Sequence, residues 1–348
     1  MKIGKILLTA MVCTLGLSTS QGQDVQLSQY YNAPLYLNPA FAGTAENTRV
    51  GLNYRTQWRG IDKPFNSVSL FADHNIEPYN SGIGLLYFRD QQGDSRLTTN
   101  EFALQYSYSI YLNDGWVLKP GLQVGMVSRD VNYSSAVFGD QLTTSGQTGS
   151  ASNDPLAGGV KARVYGDIGA GGLLYNDNAW LGLSFHHLNT PNQAFAVGDY
   201  LPLPMKFSAH GGYKFYIKGG ESKYKNYRGN ITEVSLTPTF MFKKQGKANQ
   251  LDLGAYLTYD FLMAGLWYRG LPIAKNATGL SGSEAIVVML GVYYKGATIG
   301  YSYDYTLSGL RGSGSVHELS LIYEFELPYK NVRKGRSAPC PKFHKRYQ

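Results

Sequence analysis

Few residues of this sequence have the chemistry and the spacing for metal binding. His186 and His187 are the only adjacent histidines, and Asp90, Asp94 and Glu101 are the acids nearest to a calcium-like cluster. Adjacent side chains of a strand point to opposite faces, so the two histidines cannot ligate one metal from a strand. We expect no metal at the histidine pair, and we expect solvated loop acids rather than bound calcium at the acidic residues.

Motifs for catalysis and cofactor binding are missing as well. The sequence contains no G-x-S-x-G elbow, no H-E-x-x-H, no C-x-x-C and no Walker motif. A membrane phospholipase or acyltransferase needs a Ser or His nucleophile system with an orienting partner. We therefore expect neither an enzyme nor a cofactor site.

The N-terminus has the three parts of a secretory signal peptide. Lys2 and Lys5 form a positive region, Ile6–Leu17 is apolar, and small residues follow up to Gly22. Residues 1–22 are the predicted signal peptide, and the apolar run is too short to span a membrane as a helix. Cys13 lies inside the apolar run, so we do not expect it to be a lipid-anchor cysteine.

Composition and charge separate the body of the chain from its tail. Tyr (28) and Gly (41) are abundant, and only 16% of residues are charged, below the average of about a quarter for soluble proteins. The net charge of +8 lies mostly in the basic tail, residues 328–348, which contains no acid. The body is close to neutral, which excludes the basic face expected of a nucleic-acid-binding fold.

Apolar side chains alternate with small or polar ones in stretches of about nine to thirteen residues. In Trp116–Arg129, every second residue is apolar, and Lys119, Gly121 and Gln123 occupy the other face. A soluble sandwich alternates too. The length of the strands, the Gly- and Ser-rich polar face and the tyrosines at strand ends favour a membrane barrel. No stretch after residue 23 has the eighteen apolar residues of a membrane helix.

The pattern predicts an all-β fold, a single transmembrane antiparallel barrel of about 14 strands over residues 47–327. The predicted strands are 47–57, 65–76, 82–90, 98–111, 116–129, 159–175, 179–188, 204–217, 231–243, 249–259, 262–270, 284–295, 297–305 and 316–326.

Connection lengths predict the orientation of the barrel. The tight turns at 113–115, 176–178, 260–261 and 295–296 all follow even-numbered strands, whereas the long connections 130–158, 188–203, 271–283 and 306–315 follow odd ones. Outer-membrane barrels have short periplasmic turns and longer outside loops. We therefore expect both termini in the periplasm, a mobile outside loop at 139–156, and one unusually long periplasmic connection at 218–230.

A pre-barrel segment, residues 24–46, is too apolar for a linker, and we expect it inside the barrel or at its periplasmic mouth. Five charged residues on the polar face could line a channel, although we expect them to pair with each other: Lys119, Arg129, Asp252, Glu318 and Glu324.

The chain resembles the PorP/SprF family of type IX secretion system outer-membrane proteins of the Bacteroidota. The resemblance rests on Gln29–Tyr30, Asn38–Thr44, Tyr54–Arg55 and Gln57–Trp58, and on a basic run in the tail that leads to Cys340-Pro341-Lys342-Phe343. The residues that carry the family signature or are candidates for partner contacts are Tyr30, Asn38, Pro39, Ala40, Phe41, Gly43, Lys330, Arg333, Lys334, Arg336, Cys340, Pro341 and Phe343.

The resemblance implies a partner role in the cell outer membrane, in type IX secretion and gliding motility. It implies a secreted client protein or surface adhesin outside, periplasmic secretion-ring lipoproteins inside, and outer-membrane lipid around the barrel. The alternative is a passive channel or transporter for a hydrophobic small molecule, which requires an open lumen.

Overall fold

The alternating segments form β-strands that close into one antiparallel barrel. The computed structural model describes residues 24–45, 47–60, 63–93, 97–132, 137–144, 146–153, 157, 160–195, 198–218, 234–275, 281–307 and 314–326. The strands are β1 (Thr48–Gln57), β2 (Phe65–Ile76), β3 (Ser81–Gln92), β4 (Leu97–Tyr108), β5 (Ile110–Tyr111), β6 (Val117–Asn132), β7 (Leu142–Thr143), β8 (Gly146–Gln147), β9 (Val160–Tyr175), β10 (Ala179–His186), β11 (Lys206–Tyr213), β12 (Phe215–Lys218), β13 (Val234–Gln245), β14 (Ala248–Tyr259), β15 (Leu262–Lys275), β16 (Ser281–Tyr294), β17 (Ala297–Thr306) and β18 (Val316–Phe325). Short helical turns occur at Tyr30–Asn32, Pro34–Leu37, Pro39–Phe41, Glu77–Tyr79, Asn113–Gly115 and Gly139–Gln141.

The wall of the barrel consists of 14 strands, as the sequence predicted. Sixteen strands share one sheet, but β5 and β12 continue β4 and β11 beyond single-residue breaks at Ser109 and Lys214. The first strand, β1, pairs with the last, β18, and β11 also pairs directly with β13. Closure therefore leaves no free edge along the middle of the wall.

The two faces of each strand have opposite environments. On β6, Leu122, Val124 and Met126 are 60–64% exposed on the outside, whereas Lys119 and Gln123 are each 1% exposed on the inside. The outward side chains form an apolar belt, as lipid contact requires. Within the described residues, no helix is long and apolar enough to cross a membrane.

Most of the short turns lie at one end of the barrel, and most of the longer connections lie at the other. We call the end with the turns after β2, β5, β9, β14 and β16 the short-turn end, and the other the long-loop end. The turn between β16 and β17 is only Lys295 and Gly296, whose φ values of 47° and 85° suit the tight turn that matches strand twist. The segregation agrees with the orientation inferred from the sequence.

Several connections differ from their prediction. The strands β15 and β16 extend into the predicted loop 271–283, and β13 and β14 meet at the long-loop end through only Gly246 and Lys247. The loop 139–156 contains the small hairpin β7–β8, in which Asp140 accepts hydrogen bonds from Ser152 and Asn153. Most of the predicted connection 218–230 lies outside the described residues.

Leu122→Arg tests the apolar belt. Leu122 lies on the outward face in the middle of β6, where a charge near the bilayer midplane costs about 2–4 kcal/mol. We expect the free energy of unfolding in lipid vesicles to fall by about that amount, measured by urea titration and heat-modifiable gel migration. Ser128→Arg, at the long-loop end of the same face, should cost about 0–1 kcal/mol. Equal losses at both positions would argue against lipid contact at Leu122.

Candidate functional site: a filled barrel lumen

The lumen is filled by the chain's own N-terminal residues, Asp24–Ala45, which we call the plug segment. All residues from Leu27 to Ala45 are buried except Tyr36, which is partly buried. Pro34 and Pro39 each begin a short helical turn, a position where the missing proline N–H costs nothing. The prolines and turns fold the segment into a compact body that fits within the barrel.

The plug segment starts at the long-loop end of the lumen. Asp24 accepts hydrogen bonds from Lys206 Nζ (2.7 Å) and from Gln245 Nε2 (3.1 Å), and its backbone N–H donates to Gln245 Oε1 (2.9 Å). Lys206 begins β11 and Gln245 ends β13. The plug segment therefore runs through the lumen from the long-loop end to the short-turn end.

His187 also binds Asp24. We call Asp24 and its partners Lys206, Gln245 and His187 the outer latch. Its Nε2 lies 2.8 Å from Asp24 and its Nδ1 lies 2.8 Å from Asp167. Burial disfavours the imidazolium, but the charge of Asp24 and the hydrogen bonds to both carboxylates outweigh burial and raise the pKa of His187 to about 10. Burial also opposes ionisation of Asp24, but Lys206 and His187 hold its pKa well below the usual value.

These pKa directions define when the latch is charged. A raised histidine pKa contributes stability that is complete below about pH 6.5 and is lost as pH rises through about 10. A lowered aspartate pKa contributes stability above about pH 4 that is lost as pH falls through the lowered value. The latch is therefore fully charged between pH 5 and 8.

A buried network of charged wall residues binds the plug segment near Ser28 and Gln29. The carboxylate of Glu318 accepts the backbone N–H groups of Ser28 (2.7 Å) and Gln29 (2.9 Å), and Arg55 bridges Ser28 and Glu318. Asp304 accepts from the Ser28 hydroxyl at 2.6 Å. Because these ions lie away from water, each needs such partners, and their geometry fixes the height of the segment.

Two further lumen residues extend this network across the barrel. Arg269 Nη1 donates to Asp304 at 2.8 Å, and its guanidinium lies 3.5 Å from Asp252. Asp252 also accepts from Gln26 Nε2 at 2.7 Å. Strands β1, β14, β15, β17 and β18 thus all reach the plug segment through charged or polar side chains.

Asn38 makes the main polar contacts between the middle of the plug segment and the wall strands β9 and β10. Its Nδ2 donates to the backbone carbonyls of Gly172 (3.2 Å) and Leu183 (3.0 Å), and its Oδ1 accepts from the N–H of Ala40 (2.9 Å). Asn38 therefore both caps the turn that follows it and attaches that turn to β9 and β10.

Phe41 and two wall glycines determine how closely the segment approaches the wall. The Phe41 ring stacks on His210, with centroids 5.3 Å apart. A Cβ on Gly121 would overlap the backbone at Ala40, and one on Gly82 would overlap the carbonyl of Ala42. Only glycine allows backbone to approach backbone this closely.

Aromatic contacts fill the remaining space. Tyr31 packs edge-on against Trp180, whose Nε1 donates to the Tyr31 hydroxyl at 3.1 Å. Tyr30 lies beside Tyr31, and Tyr36 stacks on Phe88 with centroids 4.5 Å apart. These rings bury apolar area between the segment and opposite sides of the wall.

The short-turn end holds the last residues of the plug segment. Gly43, with a φ of 63°, donates its N–H to Asp73 (2.9 Å), and its carbonyl accepts from Lys119 Nζ (3.0 Å). Arg49 pairs with Asp73 at 2.8 Å. The chain then enters β1.

The structure brings the N-terminal signature residues together: Tyr30, Asn38, Pro39, Ala40, Phe41 and Gly43 are all in the plug segment. The tail candidates, from Lys330 to Phe343, lie outside the described residues. Among the described residues, Lys119, Asp252 and Glu318 do not pair with one another as expected, and Glu324 is half-buried near the end of β18. Lys119, Asp252 and Glu318 bind the plug segment, and Arg129 donates to Gln193 of the β10–β11 loop.

The prediction for the histidine pair was wrong in its geometry. The strand β10 ends at His186, and His187 has a φ of 58°, so both rings are buried inside, 6.4 Å apart. Among the described residues, no three His, Cys, Asp or Glu side chains are grouped to hold a metal. Asp90 accepts from Ser67, Glu101 accepts from Gln123, and Asp94 is outside the described residues.

Asp304, Arg269 and His210 were not singled out as site residues from the sequence, and Arg55 was noted only as part of the family resemblance. Each lies on the polar face of a strand whose other face is apolar, which is the signal that could have identified them. What that signal could not supply is the partner. The arrangement as a whole binds and immobilises the plug segment.

Comparison with known proteins gives a family. The model of the family described as type IX secretion system membrane protein PorP/SprF matches residues 19–323. A search of the curated proteins gave no match. The family match and the barrel architecture place the protein in the outer membrane.

Solved structures with a similar architecture are outer-membrane barrels of low identity. Omp33 of Acinetobacter baumannii is 6% identical, with 80% of this chain and 98% of that chain covered and a TM-score of 0.42. The toluene transporter TbuX of Ralstonia pickettii is 11% identical, with 85% and 94% covered and a TM-score of 0.46. A mutant of the Rh. blastica porin is 10% identical, with 80% and 98% covered and a TM-score of 0.34.

Asn38→Ala should loosen the plug segment. It leaves the buried carbonyls of Gly172 and Leu183 without the Asn38 amide and removes the cap on Ala40, so we expect the free energy of unfolding to fall by about 1–3 kcal/mol. Urea titration followed by Trp fluorescence measures the change. Asn53→Ala is the matched control, since the buried Asn53 amide has no hydrogen-bond partner among the described residues. A loss no larger than that of the control would contradict the role assigned to Asn38.

The filled lumen predicts an electrically silent barrel. In planar bilayers at pH 7, we expect the wild-type protein to give no steady current. Gly121→Val should open it, because the side chain occupies the space of the Pro39–Ala40 backbone and displaces the plug segment. Gly172→Val is the control, since nothing lies within 4 Å of a Cβ at that position. Steady wild-type conductance would show that the segment does not seal the lumen.

Proposed function

The chain belongs to the PorP/SprF family of type IX secretion system membrane proteins, and on that basis we propose that it anchors a secreted client protein, such as a surface adhesin, at the outer membrane. In this proposal the long-loop end holds the client outside the cell, and the short-turn end and the basic tail contact the periplasmic secretion-ring lipoproteins. Gliding motility follows where the client is an adhesin that the machinery moves.

The observation that carries the proposal is the filled lumen. The wall carboxylates of Glu318 and Asp304 and the wall carbonyl of Gly172 are bound by the plug segment rather than offered to a solute. A barrel that is filled in this way works through its two ends. The same observation disfavours the passive channel, because a channel needs continuous space.

The long-loop end has the exposed surface that a client contact requires. The β10–β11 loop carries Tyr200 and Leu201, which are 74% and 52% exposed. Its inner side is fixed, since Asn192 pairs with Pro202 and Gln193 accepts from Arg129. A loop with a fixed base and exposed apolar residues suits protein recognition.

The tail supplies the proposed periplasmic contact. Residues 328–348 contain seven Lys and Arg and no acid. Lys330, Arg333, Lys334 and Arg336 form its densest run. Such a segment attracts acidic protein surfaces through long-range Coulomb forces. We assign Cys340, Pro341 and Phe343 to the same contact. The N-terminal signature residues, by contrast, support it indirectly by holding the plug segment in place.

Affinity purification of the tagged barrel from its native membrane tests both contacts. We expect a large secreted protein and ring lipoproteins at near-stoichiometric amounts by mass spectrometry. Deleting 330–348 should reduce the lipoproteins by about tenfold at low salt while the barrel still folds, because it removes the positive charge.

The outcomes separate the two halves of the proposal. A full-length barrel that comes out alone would defeat the anchoring function. A tail deletion with unchanged lipoprotein recovery and unchanged client display would defeat only the role of the tail. Replacing the seven basic residues by Gln, with the length kept, controls for loss of the segment itself.

A further inference from the structure

Strand β9 is twice as long as its neighbour. It has 16 residues and pairs with β6 along its whole length, whereas β10 has 8 residues and pairs only with Ala170–Tyr175. The half of β9 towards the long-loop end therefore has a strand partner on one side only.

The β10–β11 loop covers the first part of this free side. The N–H of Leu188 donates to the carbonyl of Ile168 at 2.9 Å. The Asn189 side chain then makes the kind of hydrogen bonds that the backbone of a neighbouring strand would make. Its Oδ1 accepts from the N–H of Ile168 (3.2 Å), and its Nδ2 donates to the carbonyl of Gly166 (2.8 Å). The contacts of the loop with the β9 backbone end at Gly166, and beyond it the loop is bound to β9 through the Arg163 side chain, whose Nε donates to the carbonyl of Asn192 at 3.2 Å.

Beyond Gly166 the edge is open. The N–H and C=O of one strand residue point to the same side, and those of Ile168 point towards β10, so those of Val164 and Ala162 do too. Among the described residues, neither residue has a hydrogen-bond partner on that side. Both residues are exposed, and Val164 is 57% exposed.

The open edge lies outside the apolar belt. Eleven residues separate Val164 from the short-turn end of β9, which is about 36 Å along the strand and about 26–30 Å along a tilted barrel, beyond an apolar band of about 25 Å. The belt on β6 ends at Met126, which is opposite Gly166, and the next outward residue is the polar Ser128, opposite Val164. The free groups therefore face the extracellular side.

We propose that the free edge of β9 at Ala162–Gly166 is a docking site for an extended strand of the secreted client, bound by β-strand addition. The proposal rests on the proposed function, because the client is the occupant. Backbone donors and acceptors at a spacing of two residues are matched by another extended backbone. An edge that stays unpaired in water is a hazard that proteins usually cover.

Charge and side-chain size define the chemistry of the occupant strand. On one face of the edge, Ala162 and Val164 are small and apolar, which favours small apolar residues in the added strand. On the other face, Arg163 is exposed, which favours an acidic residue opposite. The occupant is a strand with alternating apolar and acidic residues.

Hydrogen exchange on the full-length barrel, with and without its bound client, tests the site. We expect the amides of Ala162 and Val164 to exchange at least tenfold more slowly in the complex, because they gain acceptors. A bound client that leaves these amide rates unchanged overturns the docking site. This measurement uses wild-type protein and does not depend on any variant folding.

Val164→Pro gives a second test. It removes the free N–H but no bond to β6, since edge positions tolerate proline. We expect at least a tenfold loss of retained client, with heat-modifiable migration unchanged. Val164→Thr keeps the N–H and the branched side chain and should retain client within twofold of wild type.

The outcomes distinguish the two proposals. Client retained equally by wild type and Val164→Pro overturns the docking site and leaves the anchoring function intact. A wild-type barrel that retains no client overturns the anchoring function, and the docking site with it.

Discussion

Pairing of buried charge in the lumen is the constraint on which the rest of this structure depends. An ionised side chain away from water is stable only with hydrogen-bonded partners of good geometry. Glu318, Arg55 and Asp304 come from three strands at the closure of the barrel, and Ser28 and Gln29 of the plug segment complete their contacts. The wall and the plug segment are therefore one unit, since neither satisfies its polar groups without the other.

The residues of the family signature around Asn38 fit the plug segment against the wall of the barrel. Asn38 joins the segment to two strand carbonyls, Phe41 stacks on His210, and Gly121 leaves room for the backbone at Ala40. None of these contacts involves a solute. The signature thus serves to seat the plug segment in the barrel of a chain that belongs to the PorP/SprF family of type IX secretion system membrane proteins.

The strands of the wall differ in length, and the outer latch and the open edge of β9 both lie beside the short strands β10 and β11. Residues 187–189 connect two of them, because His187 holds Asp24 at the start of the plug segment and Asn189 covers the edge of β9 up to Gly166. Lys206, at the start of β11, and Gln245, at the end of β13, hold the same aspartate. The outer latch and the open edge thus share residues 187–189 of the β10–β11 loop at the long-loop end.

The sequence by itself determined the architecture, and the tertiary structure decided what occupies the barrel. Alternation with a period of two is a property of a single strand, so 14 strands, their inner and outer faces and their short turns could be predicted locally. The direction of the plug segment could not, since Ser28 meets Glu318 across 290 residues of chain. The turn at His187 reverses the face expected of that residue, because the strand ends one position earlier. Lumen charges on neighbouring strands pair with each other, as Arg55 does with Glu318, and the plug segment adds Ser28 to the same network. Closure of β1 on β18 brings Arg55 and Glu318 within hydrogen-bond distance.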